Sequence, residues 1–419
     1  MFSFGVKLIK FLREADLSSI VLVTIWIVFF PALWLYARFY PRIPRRILFW
    51  SNEGFRVAPT RVRSYGFCRE MRKLGADAEV LSFWDHLAGY KGLIPFRTTL
   101  GYRTRLTLRA MMTAVRSKAG IIVFQRPFYE FMSILSLKVM YPLSLTMWLD
   151  VDDWIFDEPL TGAGTNITFR NMLAVYAPVS QGCIVSSLRL QQEMKKYFTK
   201  VEVIPTFPDP TLFHDNNKAD SESGSVTFSW IGTLFMEQVK WDVLFLVEAL
   251  ESLQDSRIVF QILGDGRYMT EVSEKAQDIA QHIKVSFLGW VEPEAVPEYV
   301  RDVDVGLYCL RTQNDFCASK SPTKLFEYMA CGKPTVSTNF GEATRFIEHG
   351  VTGFIASTKE DFAYCCSILL NDAQLRKTMG RNARNKIESE YNLSTAASEL
   401  NRILGVRLGD QIFRTEAQP

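Results

Sequence analysis

Residues 319–338 read SKSPTKLFEYMACGKPTVST, and their pattern decides the fold. Ser321 followed by Pro322 has the form of a helix start, with serine as N-cap and proline at the first helical position. Lys324 and Glu327 then fall one turn apart, on one face. The helix reads on to about residue 331, and KPTVST (333–338) reads as a strand. Free N–H groups and the dipole at such a helix start attract an anion, and Lys320 and Lys324 add positive charge. A diphosphate could sit there, with Thr323 inside the same turn, while Glu327 accepts hydrogen bonds from sugar hydroxyls. The same residues also suit an ordinary capped surface helix carrying a Lys–Glu pair.

Working outward, short apolar runs alternate with helical patterns on both sides, the signature of parallel sheets with crossover helices. Upstream the strand candidates are 47–51, 78–83, 121–125, 145–151, 183–187 and 201–205, with a helix near 64–74. A polar, proline-bearing interval from Pro205 to Ser225 interrupts the series and reads as a linker. A second series follows at 226–232, 257–264, 284–289, 303–309, 333–338 and 352–356. Its helices lie near 240–253, 268–280, 293–300, 322–331, 342–348, 358–369 and 372–405. The expected architecture is α/β, with two Rossmann-like doubly wound domains facing a cleft. The boundaries are 1–45 for an anchor and juxtamembrane basic segment, 46–207 and 208–395 for the two domains, and 396–419 for a C-terminal helix and tail.

Composition agrees. A chain of 419 residues exceeds what one core organises, and 48% hydrophobic with 22% charged residues excludes disorder and a polytopic membrane protein. Residues 1–150 carry 22 Lys+Arg against 9 Asp+Glu, and the remainder 26 against 36, so +13 and −10 make the net +3. Only the front third therefore faces something anionic. Leu17–Ala37 is uncharged, and its 21 residues reach about 30 Å, the thickness of a hydrocarbon core. Trp34, Tyr36, Phe39 and Tyr40, then Arg38, Arg42, Arg45 and Arg46, have the order of an aromatic belt and a cytoplasmic basic flank. An uncleaved membrane helix is expected, spanning or, because Pro31 would kink it, re-entrant, with the catalytic domains cytoplasmic. Residues 94–118 hold Arg97, Arg103, Arg105, Arg109, Arg116 and Lys118 without an acidic residue, which suits anionic lipid better than nucleic acid. Seven cysteines without a C-x-x-C pair and four scattered histidines argue for reduced thiols and against a zinc site.

The string P-x-K-x-x-E-Y-M-A-C-G-K-P, with the preceding LGDG (263–266) and FLGW (287–290), resembles the C-terminal domain of GT-B glycosyltransferases, most closely family 4, "glycosyl transferases group 1". The resemblance runs from about Phe228 to Leu400. It implies a retaining transfer of a sugar from a nucleotide-diphosphate donor to an acceptor, here a membrane-associated, polyprenyl-linked saccharide of polysaccharide biosynthesis. It also implies a donor site formed by Gly232, Thr233, Lys240, Gly264, Gly266, Lys320, Ser321, Pro322, Thr323, Lys324 and Glu327. Glu327 would contact the ribose, and Lys240, displaced by two positions from the usual lysine, would clamp phosphate. The family's second glutamate is Ser319 here, and the arginine it places after the first-strand glycine is Thr233.

In the front domain, LDVDDWIFDEP (149–159) offers Asp152 and Asp153, with Lys324, as catalytic residues. Taken alone, D-V-D also permits a metal held by Asp150 and Asp152. The resemblance implies no metal and no cofactor beyond the nucleotide sugar as co-substrate. Gly54, Arg61 and Arg63 are the acceptor-side candidates, because arginine forks suit phosphate. A sugar-nucleotide epimerase and a non-catalytic sugar-nucleotide-binding subunit are the alternative readings.

Overall fold

The computed structural model describes residues 17–88, 100–127, 131–156, 168–209, 211–213 and 224–406. Residues 1–16, 94–99, 157–159 and 407–419, on which some sequence expectations fall, lie outside them. The chain divides into two compact units, Met1–Pro205 with Ala396–Pro419, and Thr206–Thr395.

The first unit opens with α1 (Leu17–Ala37), a helix without a charged residue that carries Pro31 inside it. Among the described residues, no helix is long and apolar enough to cross a membrane, so the expected spanning anchor is not established. The C-terminal end of α1 belongs to the domain instead, with Leu33 and Ala37 buried in its core. Next come β1 (Ile43–Ser51) and helix α2 (58–73), with a π-helical stretch at Arg61–Gly66. Pro59 in the first turn starts α2 earlier than the expected residue 64. Then follow β2 (Ala78–Ser82), α3 (Leu100–Arg116), β3 (Ala119–Gln125), α4 (Phe131–Met140) and β4 (Thr146–Val151). The unit continues through α5 (Phe169–Tyr176), β5 (Gly182–Val185), α6 (Leu188–Met194) and β6 (Val201–Val203). The sheet is parallel in the order β2-β1-β3-β4-β5-β6. Every residue of β3 is buried, as a parallel sheet covered on both faces requires.

The second unit contains β7 (Val226–Thr233), α7 (Glu237–Glu251), β8 (Ile258–Asp265), α8 (Met269–Ile279), β9 (Lys284–Gly289) and α9 (Val296–Arg301). It continues with β10 (Val305–Tyr308), α10 (Asp315–Ala318), α11 (Thr323–Ala330), β11 (Thr335–Thr338), β12 (Gly353–Ala356), α12 (Lys359–Asn371) and α13 (Ala373–Ser389). The closing helix α14 (Leu393–Leu404) begins here, and its residues from Ala396 belong to the first unit. The expected helix at 342–348 is only a 3₁₀ turn, Glu342–Arg345. The parallel sheet runs β12-β11-β10-β7-β8-β9, which is the doubly wound dinucleotide-fold order, with its switch point between β7 and β10. All seven cysteines are buried free thiols, and burial pushes those of Cys68 and Cys331 up to about 11 and about 12.

The expected basic flank after α1 is only partly a surface feature. Arg42 is buried and donates to the carbonyls of Ala114 and Ala119 at 3.0 and 3.3 Å, and to that of Val115. It thereby satisfies groups at the negative end of α3. Arg46 is half-buried beside Asp77 and Glu79. Arg38 and Arg45 are exposed.

Candidate active site

In the second unit the site is built at the carboxyl ends of β7, β8 and β10 and the start of α11. Gly232 pairs with Gly264 at the ends of β7 and β8. Gly264 has φ +144°, and a Cβ there would lie 1.8 Å from the Gly232 carbonyl oxygen. Gly266 has φ +157°, and its Cβ would meet the Leu234 backbone at 2.4 Å. The G-D-G turn thus lets two strand-end loops meet backbone to backbone, which is sufficient reason for both glycines. Thr233, after Gly232, is exposed.

Helix α11 is pinned from below. Tyr328 is fully buried, donates from its hydroxyl to the Ser229 carbonyl at 2.8 Å, and lies over Gly306, where a Cβ would fall 2.3 Å from its ring. Phe326 packs edge-on against Phe207 and Phe346. Leu325, Phe326, Tyr328, Met329 and Ala330 fill the core, whereas Lys324 and Glu327 are only half-buried on the other side of the helix. The capping expectation needs correction. Ser321 Oγ accepts from the Thr206 N–H at 2.9 Å, and Pro322 holds the N-cap position without a side-chain cap. The serine therefore ties the helix start to residue 206 instead of closing the first turn. Lys320 stands over the Phe316 ring at 4.3 Å.

Lys240, the expected phosphate clamp, does not reach this edge. Its ammonium is engaged by Glu271 at 3.1 Å and Glu237 at 3.6 Å, against the Trp241 and Tyr268 rings. Its place on α7 turns it towards α8, so it staples two helices. A group that the sequence reading missed is Asp242, buried on α7 and accepting from the Arg311 N–H at 2.8 Å. Burial raises its carboxyl to about 6 against the opposing Arg311 N–H and the Arg311 and Lys320 charges. The folded protein thus holds this proton more tightly than the unfolded chain. The contribution of Asp242 to stability is therefore most favourable below about pH 4 and falls as pH rises to about 6. Asp242→Asn keeps an acceptor for Arg311 and is expected to add roughly 2–3 kcal/mol at pH 7.5 and almost nothing at pH 4. Calorimetric melting at the two pH values checks this, and an equal shift at both would contradict it.

In the first unit, charged residues converge where β1, β3 and β4 end, at the switch point of that sheet. Arg126 follows β3 with φ +46°, an uncommon backbone state for a residue with a side chain. Its guanidinium forks onto Asp152 at 2.6 and 3.0 Å and lies 3.7 Å from Glu53 and 3.6 Å from Asp153. Asn52 donates to the Arg126 carbonyl at 3.1 Å and Ser186 to that of Asp152 at 2.8 Å. Burial raises the Glu53 carboxyl, with Asp152 and Asp153 adding to the rise and Arg126 opposing it. Asp152 and Asp153 thus meet at one guanidinium, that of Arg126, which the sequence reading passed over. The available signal was position: Arg126 follows an apolar strand directly, as the aspartates follow β4.

Gly54 admits the Asp85 carboxylate, which a Cβ would meet at 2.4 Å and which accepts from Phe55 N–H and Tyr65 hydroxyl, both at 2.7 Å. Arg61 is half-buried and donates to the Arg56 carbonyl at 3.3 Å. Arg63 is not a ligand arm. It is fully buried and holds Asp150 through Nε at 2.9 Å and Nη2 at 2.6 Å, while Nη1 donates to the Ile204 carbonyl at 2.7 Å. The π-helical stretch turns it inward, under the sheet end. Asp150 and Asp152 each face an arginine, and among the described residues no group of three His, Cys, Asp or Glu side chains could hold a metal ion.

Residues 225–372 match the family model of glycosyl transferases group 1. HepE of Anabaena, crystallised with UDP and glucose, superposes with a TM-score of 0.58 at 16% identity, covering 87% of this chain and 100% of that one. The chain has the GT-B glycosyltransferase fold. The second unit of this GT-B chain carries the group 1 match. TuaH of Bacillus subtilis (strain 168), named for teichuronic acid biosynthesis, is 27% identical over 209 residues, 47% of this chain and 51% of its own. The amylovoran biosynthesis glycosyltransferase AmsK of Erwinia amylovora is 28% identical over 38% of this chain and 40% of its own. The chain thus aligns with about half, or less, of these relatives' length.

Proposed function

We propose that this GT-B chain is a retaining glycosyltransferase of the family 4 type. It moves a sugar from a nucleotide-diphosphate donor onto a membrane-associated, polyprenyl-linked saccharide, at the cytoplasmic side, in the assembly of a polysaccharide. One observation carries the reading: a helix start locked to the sheet by Tyr328 presents Lys324 and Glu327 at the strand ends where doubly wound folds take their ligands. The names of TuaH and AmsK and the UDP bound by HepE support it.

In this reading, Lys320, Ser321, Pro322, Thr323 and Lys324 with the first amides of α11 receive the diphosphate, and Glu327 accepts from the ribose hydroxyls. Gly232, Thr233, Gly264 and Gly266 form the adjoining donor loops. Negative charge grows on the leaving diphosphate as the glycosidic bond breaks, and fixed cations there lower the barrier. Asp152 and Asp153, oriented by Arg126, hold acceptor hydroxyls, with Gly54, which follows the Glu53 that faces Arg126, and Arg61 on the next helix as further acceptor-side residues. No metal or organic cofactor is assigned a part. Glu327→Ala is expected to weaken binding of the cognate nucleotide diphosphate about tenfold to a hundredfold, the cost of one or two charge-assisted hydrogen bonds. Titration calorimetry with UDP, GDP and dTDP identifies the nucleotide and tests this, and unchanged affinity would refute the assignment. Radiolabelled nucleotide sugar with membrane lipid extract tests the reaction: label must enter the organic phase. An altered free nucleotide sugar instead would mark an epimerase, and binding without turnover a non-catalytic subunit.

A further inference from the structure

We infer that the α1 edge of the first unit rests on an anionic bilayer, with α1 dipping into one leaflet instead of crossing it. This deepens the membrane-acceptor part of the proposed function, although the observations behind it are independent of the reaction. Three of them converge.

The first is apolar surface. Along α1 and the turn after it, Ile27 (66% exposed), Val28, Leu35 and Phe39 (75%) face away from the core. Beside α1 packs α4, and Leu143, just after α4, is 100% exposed. Soluble monomers rarely expose so much contiguous apolar surface without a partner.

Length is the second. Leu33 and Ala37 are buried in the domain core, and the Tyr141 hydroxyl donates to the Ala37 carbonyl at 2.8 Å. The end of α1 is thereby committed to the protein. Residues 17–32 are what remains of the uncharged run, which Asp16 closes upstream, and sixteen helical residues at 1.5 Å each extend about 24 Å, short of the roughly 30 Å hydrocarbon core.

Charge is the third. Helix α3 packs beside α1 and exposes Arg105, Arg109 and Arg116, joined by exposed Arg38 and Arg45. No acidic residue occurs in α3. Arg38 lies 4.1 Å from the half-exposed Trp34 ring, the aromatic and cationic pairing suited to the headgroup layer. An apolar ridge flanked by arginines fits anionic lipid, whereas a second copy of this face would bring like charges together.

The test is flotation of the full chain with vesicles of phosphatidylcholine containing 30% phosphatidylglycerol, against pure phosphatidylcholine. Binding is expected to need phosphatidylglycerol and to weaken in 0.5 M salt. The double variant Arg45→Gln, Arg105→Gln should lower partitioning roughly thirtyfold, and Leu35→Glu with Phe39→Glu should abolish it. Melting temperature and nucleotide binding of both variants should stay at wild-type values, so a failure of the donor-site reading would leave this result standing. Equal binding to neutral vesicles, binding indifferent to both variants, or a wild-type dimer that the glutamate variant dissociates would each overturn the lipid surface. In inside-out membrane vesicles, an epitope placed before Met1 should be digested from outside together with the catalytic units; a protected epitope means a span and refutes the dip.

Discussion

Replacing Lys324 with alanine is expected to lower kcat by two to three orders of magnitude while leaving the donor KM within a few-fold of wild type. Lys324 lies in the first turn of α11, where, in the proposed function, helix dipole and lysine charge act on the same diphosphate. Their value is greatest when the diphosphate departs, because that is when its charge grows. Removing one preorganised donor to such a developing anion costs about 3–4 kcal/mol in well-studied sites. Binding of the intact donor draws on many other contacts and changes less. Lys324→Arg, which keeps the charge but alters reach, should recover part of the loss. Steady-state kinetics decide the matter: a kcat within fivefold of wild type for the alanine variant would remove Lys324 from the chemistry. A large rise in KM alone would assign it to ground-state binding.

The second large effect concerns stability. Arg63→Leu is expected to destabilise the protein by about 3–5 kcal/mol, because Asp150 is left charged, buried and without its partner. The Ile204 carbonyl loses a donor as well. Removing both members of the pair should cost far less than the single change, since an apolar pair of similar volume replaces desolvated charges by packing. Arg63→Leu with Asp150→Leu is therefore expected to melt well above Arg63→Leu alone. Denaturant titration of the two variants checks the order. If the double variant were the less stable, the pair would be a net source of stability and not a compensated burial.

The Arg63–Asp150 pair shows where sequence reasoning stops. The twelve described strands were legible because strands of a covered parallel sheet are apolar on both faces, as in AGIIVFQ and VTFSWIGT. The helix bearing Lys324 and Glu327 was legible for a similar local reason: Phe326, Tyr328 and Met329 mark its buried side, leaving the two charges opposite. Ion pairing is not local. Arg63 and Asp150 are 87 residues apart, and nothing in either segment says that α2 lays one over the other. Lys240 failed for the same reason, its partner Glu271 being 31 residues away on the next helix. Ser321 had the spacing of a cap, yet the Thr206 amide claims its hydroxyl from 115 positions upstream. The left-handed backbone at Arg126 had no sequence mark, since an arginine is not a residue that signals positive φ.

The placement of α14 bears on how the molecule is made. Ala397, Leu400 and Ile403 on that helix are buried, and the helix returns to the first unit after the whole second unit has been traced. On a ribosome, the half that emerges earliest must wait, one hydrophobic seam open, until the later half has left the exit tunnel. The interval favours chaperone capture, and a nick in the segment joining α13 to α14 would strip the older half of its last wall.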